Sequence, residues 1–440
     1  MEKLPSEITT NILLRLPFKS TGISKCVSKQ WLSIISDPKF LINQLSISIN
    51  PDILLFFRDP NSRWSGICYL EDDDDVKVQP LQKNSIVEPY ITYDHQFVPE
   101  SHFHRAVLLG NCNGFVTLFD CSSFEGSNLP KNPIFIVNPI TNERAPLPYY
   151  ETPLMDFTPP KTLLGERKYD KLLSGFVFRE SEKVFKLVLV MFTAVDLKCD
   201  VFRNEVQVCT LGLGSGSGSI TWKRKSGIVP DLLRECYEKV SNAFVNECLH
   251  WVIVDESSLY GGPTFVSFNL DEETFGYVPC PGSQLSKLRY DYYELGVLER
   301  KLAVVECSPK RGVEIWIMEN YDVKESWVKK YSIRNDLLSR DVNWDDVRIV
   351  KLRKNGELLL LYDTEYLVCY NTNSKKCHFV EVEGVTDEGL QLHAAQAFVG
   401  RPISLKLAFG LECDSFEESI MSDEIQAGMD SIFTNFGILG

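Results

Sequence analysis

Two kinds of polar turn alternate along most of this chain, and their spacing constrains its fold more than any other feature. The first kind follows short runs rich in β-branched and aromatic residues. Ile134-Phe-Ile-Val137 runs into Asn138-Pro-Ile-Thr-Asn142, Phe265-Val-Ser-Phe268 into Asn269-Leu-Asp-Glu-Glu-Thr274, and Tyr366-Leu-Val-Cys-Tyr370 into Asn371-Thr-Asn-Ser374. Val313 to Met318 is followed in the same way by Glu319-Asn-Tyr-Asp322. Each turn leads to another strand-like run, as at 327–333 and 377–382, which marks a hairpin. The second kind precedes the first. Asn113-Gly114 and Asn355-Gly356 are strong hairpin signals, and Asn246-Glu247 and Glu299-Arg300 hold the equivalent places. From 246 to 300 is 54 residues, and from 300 to 355 is 55. From 113 to 246 is 133, room for one extra, longer unit, which runs at 175–178, 186–190 and 206–210 fill.

Two hairpins per unit make four strands per unit. Four-stranded units at this period predict the blades of a β-propeller, about six of them, near 53–90, 105–148, 174–225, 242–280, 295–333 and 346–383. Strands around 394–398 and 403–409 are expected to pair with the first unit and close the ring, which removes exposed sheet edges. An open stack or a pair of β-sandwiches is the alternative.

The first 45 residues follow a different rule. Ile8, Ile12, Leu13 and Leu16 recur at helical spacing after Pro5-Ser6, and Pro17 ends that helix. Further short helices fit 19–26 and 28–35, with Trp31, Ile34 and Ile35 on one side. Phe40, Leu41 and Leu45 add a last apolar turn. The expected front module is therefore all-α, with three short helices. Such a module buries little core and is marginal alone. Either it packs on the rest of the chain or another protein completes it. It carries a net charge of +3, whereas the whole chain carries −14, so the other 395 residues hold −17. An acidic bulk excludes an ordinary nucleic-acid binder.

The order Leu4-Pro5-x-Glu7-Ile8, Ile12-Leu13-Leu14-Arg15-Leu16-Pro17-x-Lys19-Ser20, Lys25-Cys26-Val27-Ser28-Lys29-x-Trp31 and Ser36-Asp37-Pro38-x-Phe40 resembles the F-box of plant F-box proteins. The later Asn111-Cys-Asn-Gly-Phe115, Asn138-Pro139-x-Thr141-Asn142-Glu143 through Leu147-Pro148, Asn246-x-x-Leu249-His250-Trp251 and Leu295-Gly296-Val297-Leu298 resemble the F-box-associated, kelch-like domain that follows it. The resemblance divides the chain into an F-box at 1–45, a propeller-like domain at 46–410 and an acidic tail at 411–440. It implies that the F-box docks on a small acidic Skp-type adaptor and, through it, on a cullin–RING scaffold. By that match Leu4, Pro5, Ile8, Ile12, Leu16, Pro17, Cys26, Val27 and Trp31 lie at or beneath the contact. Thr21-Gly22-Ile23-Ser24 departs from the family pattern. Gly22 is expected to weaken the helix, and two apolar side chains are missing, which favours weaker adaptor binding. Glu247 stands where relatives carry Gly.

No catalytic constellation stands out. Asp72 to Asp75 reads as a solvated acidic loop, and 211–219 as a flexible Gly-Ser loop without the Lys of a phosphate-binding loop. His102-x-His104 lacks an obvious third metal ligand. His250 reads as structural, as do Cys112 and Cys121. The 13 cysteines show no CxxC pair and no zinc spacing, and free thiols are expected. Glu2, Lys3 and Glu7 do not suit a secretory signal, and the longest apolar stretch, near 187–195, is about half a membrane span. A soluble protein of the cytoplasm and/or nucleus is expected, with no cofactor and no metal.

The leading expectation is a non-catalytic substrate receptor of an SCF-type (Skp–cullin–F-box) ubiquitin ligase, its propeller holding an unidentified target for ubiquitination and degradation. The alternative is a protein- or glycan-binding propeller with a degenerate F-box. A third reading, a propeller enzyme, requires polar side chains converging in the central channel.

Overall fold

The computed structural model describes residues 5–16, 18–45, 51–58, 65–70, 86–87, 106–120, 134–148, 171–196, 201–213, 220–236, 240–254, 262–282, 285, 292–308, 311–334, 346–363, 366–380 and 391–412. The front module is helical: α1 (Ser6–Leu14), α2 (Phe18–Val27), α3 (Lys29–Ile35) and α4 (Pro38–Leu45). That is one helix more than the three expected. Asp37 is the reason. After α3 ends at Ser36, the Asp37 carboxylate accepts from the Lys39 N–H at 2.8 Å. That contact caps a new helix, whose first residue, Pro38, needs no N–H partner.

Among the described residues after the module, the regular structure apart from short helical segments is strand, arranged in six four-stranded sheets. Five sheets are meanders of consecutive strands. Blade 2 is β4 (Ala106–Cys112), β5 (Phe115–Asp120), β6 (Ile134–Asn138) and β7 (Glu143–Pro146). Blade 3 is β8 (Lys171–Arg179), β9 (Val184–Asp196), β10 (Val201–Gly212) and β11 (Ile220–Ser226). Blade 4 is β12 (Ala243–Val245), β13 (Cys248–Ile253), β14 (Thr264–Asn269) and β15 (Thr274–Val278). Blade 5 is β16 (Tyr292–Leu298), β17 (Lys301–Ser308), β18 (Gly312–Met318) and β19 (Trp327–Ile333). Blade 6 is β20 (Val347–Leu352), β21 (Glu357–Tyr362), β22 (Tyr366–Asn371) and β23 (Lys376–Val380). Blade 1 joins β1 (Asp52–Arg58), β2 (Ser65–Leu70) and β3 (Ile86–Val87) to β24 (Gln391–Phe398).

β24 pairs with β1 over Asp52↔Phe398 to Arg58↔Gln391, so the last strand closes the ring on the first. The second expected closing strand, at 403–409, is instead a helix, α5 (Leu405–Phe409). Ser404 caps its start by accepting from the Lys406 N–H, and Gly410, at φ 67, ends it in the left-handed conformation.

The blades are apolar on both faces because each face meets a neighbour. Along β9, Leu187, Leu189 and Met191 join the cluster shared with blade 2, while Val188, Val190 and Phe192 join the one shared with blade 4. Similar clusters fill the interfaces between blades 4 and 5, 5 and 6, 6 and 1, and 1 and 2. The turns explain the sequence repeat. Asn246-Glu247 and Glu299-Arg300, like Asn113-Gly114, place both residues at positive φ. In the other turn Asn138, Asn269 and Asn371 each accept, through Oδ1, the N–H two residues on, at 2.9, 2.8 and 3.1 Å. Glu247 takes the left-handed position without glycine's freedom, and its carboxylate accepts from Arg179 Nε at 2.7 Å.

Candidate functional site

Two places on the molecule gather chemistry: the front module and the centre of the ring. In the module, the buried apolar core is Leu13, Ile35 and Phe40, with Leu14, Leu16, Trp31 and Ile34 packed around it. Three buried side chains leave much of the helical surface unused. Of the nine large apolar side chains exposed among the described residues, five lie here: Ile8, Ile12, Ile23, Val27 and Leu32. Ile8 and Ile12 are one turn apart on α1, and Ile23 and Val27 one turn apart on α2, so each pair shares a face of its helix. Ile23 and Val27 are 69% and 59% exposed.

The expected docking residues separate accordingly. Pro5, Ile8, Ile12, Cys26 and Val27 are exposed, whereas Leu16 and Trp31 are half-buried against the small core. Leu4 and Pro17 fall outside the described residues. Ile23 and Leu32 are additions. The signal for Ile23 was its position one turn before Val27. At 21–24, where the sequence departs from the family pattern, two side chains turn inward. Thr21 and Ser24 are buried, and their hydroxyls donate to the carbonyls of Leu16 and Ser20 at 3.3 and 2.7 Å. Side chains at 21 and 24 therefore point inward, while Ile23 and Val27 stand exposed. Gly22 lies within α2, with open space where a Cβ would be.

The module is seated on the ring. Lys25 Nζ donates to the Pro402 carbonyl at 3.0 Å, and burial pulls its pKa down against the pull of Glu143. Leu45, at the end of α4, joins Leu405, Ala408 and Phe409 of α5 in the cluster between blades 2 and 3.

At the ring's centre a cavity of about 280 Å³ is lined from all six blades. Polar side chains converge in it. Asn111 Nδ2 donates to Gln396 Oε1, and Gln396 Nε2 donates to Asn242 Oδ1 at 2.7 Å, a chain that crosses from blade 2 through blade 1 to the start of blade 4. On the other side Tyr292 Oη donates to Glu294 Oε2 at 2.9 Å, and Arg348 Nε lies 3.6 Å from Glu294 Oε1 and 3.1 Å from Asp346 Oδ1. Burial alone would lower the Arg348 pKa; Glu294 and Asp346 reverse this and hold it above its usual value. Most of these groups find partners in one another. The cavity's Ser241 donates to the His250 carbonyl, and burial pushes the Cys112 thiol up to about 12. Neither arrangement activates a nucleophile.

His250 is fully buried. Its Nδ1 lies 3.0 Å from the Ala243 carbonyl and its Nε2 lies 2.8 Å from Tyr321 Oη. Burial pushes its pKa down to about 4, as suits a structural, neutral imidazole. Glu357, Cys369 and His378 approach metal-binding geometry. Arg353 Nη1, however, lies 3.0 Å from Glu357 Oε2 and 3.8 Å from Cys369 Sγ, so a guanidinium already stands where a cation would. The sites considered at Asp72 to Asp75, His102, His104 and Cys121 fall outside the described residues, as does 214–219. The nine cysteines whose side chains are described are free thiols. Among the described residues, no helix is long and apolar enough to cross a membrane.

Comparison with known proteins agrees with this division. The family model of the F-box domain matches residues 1–43, and that of the F-box associated beta propeller domain matches residues 69–401. F-box protein At3g07870 of Arabidopsis thaliana is 26% identical over 396 residues, covering 84% of this chain and 85% of its own. F-box protein CPR1 of the same plant is 22% identical, covering 87% and 85%. Among solved structures, the beta-fructofuranosidase catalytic domain of Microbacterium saccharophilum is similar at a TM-score of 0.29 and 7% identity, over 67% of this chain and 80% of its own. A likeness that slight says nothing about activity.

Proposed function

The chain belongs to the F-box proteins that carry an associated β-propeller, and from that premise we propose that it is the substrate receptor of an SCF-type ubiquitin ligase. The helical module docks on a Skp-type adaptor, and through it on a cullin–RING scaffold. The ring holds a target protein for ubiquitination and degradation. The chemistry belongs to the other subunits, and this chain supplies proximity. Free thiols suit a reducing compartment, the cytoplasm or nucleus.

One observation carries the reading: Ile8, Ile12, Ile23, Val27 and Leu32 stand exposed on a module whose own apolar core, among the described residues, is three buried side chains. Burying each such side chain against a partner is worth about 1.5–3 kcal/mol, and apolar anchors on rigid helices are what interface cores use. The non-ligase alternative drew on Thr21 and Gly22. Thr21 and Ser24 turn inward, and Ile23 and Val27 beside them stand exposed, which supports docking. The Lys25–Pro402 bond and the α4–α5 packing support a fixed angle between adaptor and ring.

The test is co-expression of the full chain with a Skp-type adaptor. The wild type is expected to retain the adaptor through purification, and the Leu4→Ala/Pro5→Ala variant to lose it. A wild-type chain that retains no adaptor overturns the proposal.

A further inference from the structure

Between the ring-closing β24 and α5 the chain passes through Arg401, whose side chain is 1% exposed. Among the described residues, its Nε and Nη1 have no hydrogen-bond partner. The two other buried arginines differ. Arg179 is paired with Glu182, Glu247 and Asp271, and Arg353 with Glu357. The position of Arg401 is closely determined. Asn138, itself buried, donates through Nδ2 to the Arg401 and Ile403 carbonyls at 2.9 and 2.7 Å. Gly114, at φ +93, lets the β4–β5 turn come so close that an added Cβ would stand 2.9 Å from Arg401 Cβ. The two residues before it, Cys112 and Asn113, line the central cavity. One short stretch of backbone thus runs from the cavity wall to Arg401.

The charge states leave the guanidinium unanswered. Burial pulls the Arg401 pKa down to about 10, with Cys112 opposing, so the group stays cationic at neutral pH. The Cys112 thiol, pushed up to about 12 by burial, stays neutral. A buried charge without a partner is strongly disfavoured, and arginine cannot escape by losing its proton.

We infer that Arg401 is the receptor for a small oxyanion, a phosphate or a carboxylate, bound where the strap after β24 meets blade 2. The ion completes the junction at which the strap after β24 meets blade 2, and so reinforces the closure of the ring. This goes beyond adaptor docking and does not depend on it.

The experiment is thermal unfolding of the full chain in sodium phosphate, sodium acetate and sodium chloride at equal ionic strength. The midpoint is expected to rise saturably in one oxyanion, by about 2 °C beyond chloride when the ion is well above its dissociation constant. Which salt acts tells phosphate from carboxylate. Arg401→Met is expected to respond to all three salts alike. Cys112→Asp, which supplies a carboxylate from within the chain, is expected to raise the midpoint and abolish the oxyanion response. Parallel salt responses in wild type and Arg401→Met overturn the inference, because water alone then serves the guanidinium. Should Arg401→Met not fold, an undiminished oxyanion response in Cys112→Asp overturns it equally.

Discussion

The ring and the front module draw on the same apolar residue types and dispose of them in opposite ways. In the ring, every interface between blades has its own buried cluster, and even the closing strand β24 contributes Leu392 and Ala395 to one and Phe398 to the next. In the module, among the described residues, three apolar side chains form its own buried core and five large apolar ones face outward. The difference lies in connectivity. A blade has a neighbour on each face, so a run of β-branched and aromatic residues is covered twice. Four short helices lack such a neighbour on each face, and among the described residues the ring meets the side that carries Lys25 and Leu45. The proposed adaptor contact falls on the less covered of the two parts.

The largest expected effect sharpens the contrast from the ring's side. Phe185 is fully buried and packs against Phe115, Phe176, Phe178 and Phe409. Phe185→Ala is expected to cost about 3–5 kcal/mol in denaturant unfolding, whereas exposed positions of the module are expected to tolerate truncation. Acidification acts on the ring next. With a folded pKa of about 4 against an ordinary 6.5, His250 takes its proton more readily in the unfolded chain. Stability is therefore full above about pH 6.5 and falls as the pH drops toward 4, by up to about 3 kcal/mol. Unfolding of wild type and His250→Gln between pH 7 and 4 checks this, and the variant is expected to show the shallower loss. The smallest effect belongs to the module. Gly22→Ala places a methyl in open space on a helix and is expected to stabilise α2 by about 1 kcal/mol, read by hydrogen exchange of the module's amides.

The ring was legible because its signals are local. Asn138, Asn269 and Asn371 fix their turns through bonds to residues two positions on, and Asn113-Gly114 can hardly adopt another turn. Closure by 394–398 followed from the same period. What escaped depends on distant contacts or on small caps. Residues 405–409 pattern like a strand, yet Ser404 and Gly410 bracket them as a helix that fills the space beneath α4. Asp37 turned an apolar tail into a fourth helix. On the module, periodicity found the helices but not their orientation. Only the folded packing showed that Thr21 and Ser24 face in while Ile23 and Val27 face out. The amide chain in the cavity joins residues 111, 242 and 396, a juxtaposition that no spacing in the sequence announces.

The unfinished face itself is tested by titrating purified Skp-type adaptor into the full chain and into its Ile12→Ser/Val27→Ser variant, with unfolding midpoints recorded alongside. Two exposed anchors lost from an interface core are expected to weaken binding by about 100-fold or more, while stability changes by no more than about 0.5 kcal/mol per site. Equal affinity in the two proteins would mean that these side chains face solvent for no partner of this kind, and would contradict the account.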